Sequence, residues 1–338
     1  MNDFKQWLRA MPKAELHLHI DGSLQASRLL QLAAKNGVEI PYDSVESVEQ
    51  AYNFDDLQSF LDLYYLGASV LRDEEDFYYL MKDYLDKCCE QNIVHTEIMV
   101  EPQTYLPYGV AVETVLAGFC KAIAAAKAQN GQSALMILSL LRHLSEEEAL
   151  AMLDSVEPFR NDFVGIGLAS SELGNPPEKF ARLYAKAKEQ GYKLIAHAGE
   201  EGPPEYIWGA LDVLQVDRVD HGVRCVEDEA LVKRLIAEQV PLTVCPLSNV
   251  RLCVFNTMAE HNILEMLEQG LCVTVNSDDP TYFGGFMNEN FEALADDLGM
   301  TKAQAVQLAA NSFRASFLSD EEKHAFIQQL EQHAAIAA

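Results

Sequence analysis

Eight short apolar runs, separated by stretches of helical periodicity, constrain this chain more than any other feature. They are AELHLHI (14–20), IVHTEIMV (93–100), ALMILSLL (134–141), FVGIGLAS (163–170), KLIAHAG (193–199), RVDHGV (218–223), PLTVCPLS (241–248) and LCVTVNSD (271–278). Most are apolar at consecutive positions, as a parallel strand covered on both faces must be. Between them, residues 56–71, 74–91, 177–191 and 227–239 carry apolar residues at helical spacing, and Gly191 is placed to end the third of these helices. Strands alternating with helices predict an α/β fold, a (β/α)8 TIM barrel, in a single domain over residues 1–338. The long interval after the first run, 24–92, is expected to insert extra helices over the barrel mouth. Its segment 50–75, with Phe54, Phe60, Tyr64 and Tyr65, is the expected lid. An open doubly wound sheet is the competing architecture, but no G-x-G-x-x-G follows any run.

A barrel places its chemistry at the C-terminal ends of its strands. Polar residues interrupt the runs at those ends. His17 and His19 share one face of the first run, by strand alternation. His197 and Glu200 end the fifth, His221 ends the sixth, and Asp278 and Asp279 end the eighth. Each alone has an ordinary reading as a core, cap or turn residue. Together they point into one mouth, and three histidines with a carboxylate suit a single zinc with a position open to water. The fourth run has no lysine to bridge two metals, which favours one ion. His95, His143, His261, His324 and His333 fit no such pattern and are read as structural or surface residues. There is no H-E-x-x-H helix, P-loop or G-x-S-x-G elbow, and the H-x-E with P-C-x-x-C set of the cytidine-type deaminases is missing.

The formal net charge of −27, from 52 acidic and 25 basic residues, disfavours nucleic acid and anionic membrane surfaces as partners. No run approaches the ~18 apolar residues of a transmembrane helix, and residues 1–16 lack the pattern of a signal peptide. The seven cysteines form no C-x-x-C pair, so free thiols in a reducing cytoplasm are expected.

In order along the chain, "PKAELHLHIDGS", "HAGE", "DHG", "TVCPLSN" and "VNSDDP" resemble the adenosine/adenine deaminase family of the amidohydrolase barrels. The resemblance covers nearly the whole chain. It implies a barrel enzyme with one zinc, held by His17, His19, His197 and Asp278. It implies Glu200 as the general acid that protonates purine N1, and His221 as the residue that positions or deprotonates the attacking water. By the same resemblance, Asp279 hydrogen-bonds the purine near N7 and the backbone around Ser170 contacts N3. The implied substrate is a small 6-aminopurine, and "LASSELGNPPEKF", "HAGEEGPPEYIW" and "DDPTYFGG" are most similar to the adenine deaminase branch, which acts on the free base. Two positions depart from that branch. Asp21 stands where it usually has glutamate, as in the adenosine branch, where aspartate meets the ribose 5′-hydroxyl. Ala169 stands where it often has aspartate. Adenosine and N6-substituted adenines are therefore the alternative substrates, and a non-catalytic binding barrel is the alternative of another class.

Overall fold

Each predicted run contains a strand. In the computed structural model, which describes residues 3–53 and 57–336, these are β1 (Lys13–His19), β2 (Ile93–Val100), β3 (Ser133–Leu141), β4 (Phe163–Ala169), β5 (Lys193–Ala198), β6 (Arg218–His221), β7 (Leu242–Val244) and β8 (Val273–Val275). They pair in parallel and in sequence order from β1 to β8. The ring closes at a seam beyond the end of β8. There Leu18 bridges Asp278, the His19 N–H donates to the Asp278 carbonyl at 3.0 Å, and the Asp278 N–H donates to the His17 carbonyl at 3.1 Å. This is a (β/α)8 barrel and not an open sheet.

The last two strands are shorter than their runs because the chain turns away early. Pro246 opens the helix Pro246–Arg251, a position where its missing N–H costs nothing. The main core lies between the sheet and the surrounding helices, and includes Leu138, Ile166, Leu194, Val219 and Val244 from the strands. A smaller cluster, Met99, Ile137 and Ile195, fills the barrel interior. Below it the fully buried Arg218 guanidinium donates to Glu97 at 2.6 Å and to the Leu16 carbonyl at 3.0 Å. A buried cation requires such partners. The barrel is thus plugged at its floor and left polar at its mouth.

The interval after β1 holds the helices Ala26–Asn36, Val45–Ala51, Leu57–Ser69 and Glu74–Glu90. The last is the ordinary crossover to β2: Asp73 caps it with a reciprocal capping box, and it packs along Val112–Asn130 in the outer ring. The helix Leu57–Ser69 crosses the mouth. Phe60 and Leu63 pack on Tyr282 and Phe283, and Phe60, Leu61, Tyr64 and Tyr65 line the opening. Of the expected lid aromatics, Phe54 lies outside the described residues. Gly191 takes the left-handed φ of 78° expected just past a helix end. Among the described residues no helix is long and apolar enough to cross a membrane, and the seven cysteines are free.

Candidate active site

Alternation along β1 turns His17 and His19 to the same side, with ring centroids 5.5 Å apart. The His197 ring lies 4.6 Å from that of His17, and the His221 ring 4.7 Å from it. Ligand atoms of His17, His197, His221 and Asp278 all fall within 4.8 Å of one another, and all four residues are buried. His19 meets the same group: its Nε2 is 3.3 Å from His197 Nε2 and 3.4 Å from Asp278 Oδ1. Asp278 Oδ1 is also 3.5 Å from His17 Nε2. Five residues expected at the mouth therefore converge on one point.

The outward-facing ring nitrogens face acceptors, by hydrogen bond at His17 and His19 and across an ion-pair contact at His197. His17 Nδ1 is 3.0 Å from Thr243 Oγ1, His19 Nδ1 is 2.7 Å from Glu101 Oε1, and His197 Nδ1 is 3.2 Å from Asp220 Oδ2. With a proton fixed on Nδ1, each neutral ring presents an unprotonated Nε2 inward. The Nε2 atoms of His19 and His197 face each other across 3.3 Å, a spacing that a proton or a metal cation between them satisfies. The Nε2 atoms of His17 and His221 are buried and find no hydrogen-bond partner. Imidazoles converging with a carboxylate, each oriented from behind, fit a zinc-type ion. Burial alone would raise the Asp220 carboxyl, but the His17 and His197 rings beside it hold it well below the usual carboxylate range. Asp220 is thus the anion that keeps two of the imidazoles in place.

Strained backbone turns several of these groups inward. Ser170, His221 and Asp278 have φ of 76°, 62° and 63°, left-handed values that cost a side-chain-bearing residue on the order of 1–3 kcal/mol. On a regular strand Asp220 and His221 would point to opposite faces. The left-handed turn at His221 lets both face the barrel interior. Gly22 is needed for another reason: a Cβ there would lie 2.1 Å from Asp279 Oδ1 and 2.4 Å from the Asp279 Cα. The Asp-Gly of the first motif thus leaves room for the second aspartate of the last one.

Glu200 stands beside this group, its Oε2 3.5 Å from His221 Nε2. Burial, reinforced by the Asp278 and Glu172 carboxylates, holds its carboxyl well above the ordinary glutamate range. The segment carrying it is tied to one buried side chain. Glu172 accepts the N–H groups of Gly199 (2.7 Å), Glu200 (3.1 Å), Glu201 (2.9 Å) and Gly202 (2.8 Å). Asp278 Oδ2 accepts from Ser248 Oγ at 2.6 Å, and Asn249 lies 3.3 Å from His221 Nδ1.

A cavity opens above these residues, walled by Phe60, Leu61, Ser170, Glu200, Asp279 and Phe283 among others. It adjoins a second cavity, lined by Tyr64, Tyr65 and Glu101 among others. Asp279 and Ser170 line both, with Ser170 Oγ 2.8 Å from His143 Nδ1. Asp21 lines neither. Its carboxylate accepts from the Tyr105 hydroxyl and, at 3.5 Å, from that of Tyr64, and burial raises it to about 7. Sequence reasoning did not single out Glu101, Glu172, Asp220, Thr243, Ser248 or Asn249. Glu101 and Asp220 carried a faint signal, each being an acid at the C-terminal end of an apolar run.

Over residues 12–333 the chain matches the family described as Adenosine deaminase. It is 56% identical over 333 residues to an adenine deaminase of Hahella chejuensis, covering 98% of this chain and 99% of that one. To an adenine deaminase of Bordetella parapertussis it is 58% identical over 309 residues, 91% of this chain and 98% of the other. Among solved structures it resembles the adenine deaminase of Arthrobacter aurescens, with TM-score 0.94 and 49% identity over 97% of this chain and 100% of that one. It also resembles an amidohydrolase of Burkholderia ambifaria with bound zinc, at TM-score 0.91 and 25% identity over 99% and 95% of the two chains.

Proposed function

The chain belongs to the adenosine deaminase family, and from that premise we propose that it hydrolyses adenine to hypoxanthine and ammonia, with one zinc held by His17, His19, His197 and Asp278. The observation that carries this reading is the meeting, in one cavity, of the histidine–aspartate group, the Glu200 carboxyl and the Asp279 side chain. Zinc, when bound, supplies Lewis-acid activation of the attacking water.

The chain's own residues account for the rest. Water adds to C6, which becomes tetrahedral at the cost of the six-membered ring's aromaticity, and the electron pair displaced onto N1 must be met by a proton. Glu200 holds that proton because its buried, anion-flanked carboxyl resists ionisation, and it delivers it to N1 as attack proceeds. His221 Nε2, 3.5 Å from Glu200 Oε2 and 3.8 Å from Asp278 Oδ2, stands between acid and aspartate, where it orients the attacking water. Asp278 takes a proton from that water on its way to the departing amine. Asp279 holds the N7 edge, and the backbone around Ser170 meets N3. Collapse of the tetrahedral carbon breaks the C6–N bond and expels ammonia, the adduct's hydroxyl proton passes to the Glu200 carboxylate and restores the acid, and the 6-oxopurine is left.

Steady-state assays of adenine, adenosine and N6-isopentenyladenine at equal concentration test the substrate. Adenine is expected to turn over fastest. Adenosine as the best substrate would overturn the free-base reading, and no turnover of any of the three would overturn the deaminase reading.

A further inference from the structure

The second cavity adjoins the first through shared walls, His19, Phe60, Leu61, Ser170 and Asp279. A purine whose C6 faces the histidine–aspartate group, with Glu200 at N1, has its N9 at the far end of the molecule. With Ser170 on the N3 edge and Asp279 on the N7 edge, N9 points between them into this second cavity. Its other walls are Tyr64, Tyr65, Leu141, Ala169 and Glu101.

Glu101 follows the last residue of β2 and is 1% exposed. Its Oε1 is occupied by His19 Nδ1 at 2.7 Å. Its Oε2 is buried and has no hydrogen-bond partner on the protein. The neighbouring Asp21 differs, since both of its oxygens accept tyrosine hydroxyls. The other unpartnered carboxylate oxygens lining the two cavities, Asp279 Oδ1 and Glu200 Oε1, belong to the N7 and N1 edges. A buried acceptor without a donor costs free energy until something supplies one. Free adenine carries an N–H at N9, and a nucleoside has lost it to the glycosidic bond.

Resting on the reading of the chain as an adenine deaminase, the geometry points to Glu101 as the residue that selects the free base, its Oε2 accepting the N9–H in the second cavity. The Asp21 carboxylate, held by Tyr64 and Tyr105, is withdrawn from the role of a sugar acceptor. A pocket built to accept a substrate N–H rejects the analogue that lacks it by a large factor, because its own polar atom is then left unpaired.

The test compares adenine with 9-methyladenine, which keeps N1, N3, C6 and N7 but has no N9–H. Wild-type enzyme is expected to favour adenine by about 10³-fold or more in kcat/KM. In Glu101→Ala, which removes the acceptor and opens room for a methyl group, the preference is expected to fall at least tenfold, with the loss on adenine appearing mainly in KM. Zinc content, measured alongside, reports whether His19 stays in place. Equal use of adenine and 9-methyladenine by the wild type overturns the proposal and needs no variant to do so. An unchanged preference in Glu101→Ala, with both substrates slowed alike, reduces Glu101 to a support for His19 and also overturns it. Failure of the wild type to deaminate adenine at all is a different result, and removes the premise.

Discussion

In the proposed reaction Glu200 holds a proton when substrate arrives and releases it during attack, in a setting already crowded with negative charge. Asp278 and Glu172 make its ionisation unfavourable, and the small exposure of its side chain, 13%, keeps water from relieving that. Glutamine at this position keeps an N–H to offer N1 but cannot transfer a proton. Glu200→Gln is therefore expected to lower kcat by about 10²–10⁴-fold, with KM changed little and zinc still bound. Steady-state kinetics with metal analysis of the same preparation checks it. Activity within tenfold of wild type would remove Glu200 from the acid role.

At the scale of elements, the segment after β5 depends on a side chain from the loop after β4. One carboxylate, Glu172, receives four consecutive backbone N–H groups. Gly202 is shaped to this contact, since a Cβ there would stand 2.4 Å from Glu172 Oε1. Glutamine offers one acceptor oxygen and turns an NH2 toward donors. Glu172→Gln is expected to destabilise the fold by about 1–3 kcal/mol for each donor left unpaired. Amide exchange of residues 199–202 should quicken before that of the strands, as hydrogen exchange read by mass spectrometry can show. Uniform exchange across the chain would mean that Glu172 does not hold this segment specifically.

The same scale shows what the sequence could and could not reveal. Strands buried on both faces, under helices outside and in the barrel interior within, are apolar along much of their length, so the runs for β1 to β6 nearly coincide with the strands themselves. The β7 run continues as apolar chain through Cys245, Pro246 and Leu247 after leaving the sheet, so hydrophobicity overstated it, while the β8 run leaves the sheet into the polar Asn276, Ser277 and Asp278. His17, His19, His197 and Asp278 were legible because a histidine or aspartate at a strand end stands out from its apolar surroundings. Their supports were not. Glu101, Asp220 and Glu172 are three among 52 acidic residues, and their task follows from partners 82, 23 and 27 or more positions away. Alternation from Arg218 and Val219 turns Asp220 inward but would turn His221 out, until the left-handed turn at His221 is known.

For the whole molecule, the proposed zinc would bind the folded barrel and not the unfolded chain, so it stabilises by mass action, about 4 kcal/mol at a free concentration 1,000 times Kd. Removing it with a chelator is expected to lower Tm, and restoring zinc to raise it again. His17→Ala is expected to lose both the bound metal and that zinc-dependent shift. Full zinc stoichiometry in the variant would take His17 out of the ligand set. The seam between Leu18 and Asp278 adds a matter of timing. A protein leaves the ribosome N-terminus first, so His17 and His19 emerge well before their closing partner, which lies 261 positions after His17. Until Asp278 has emerged, β1 has one edge without its neighbour and the donor set is incomplete. With the proposed ligand set, metal capture is therefore among the last events in the making of this protein, and a chain cut short before residue 278 lacks both the closing bridge and the proposed carboxylate ligand.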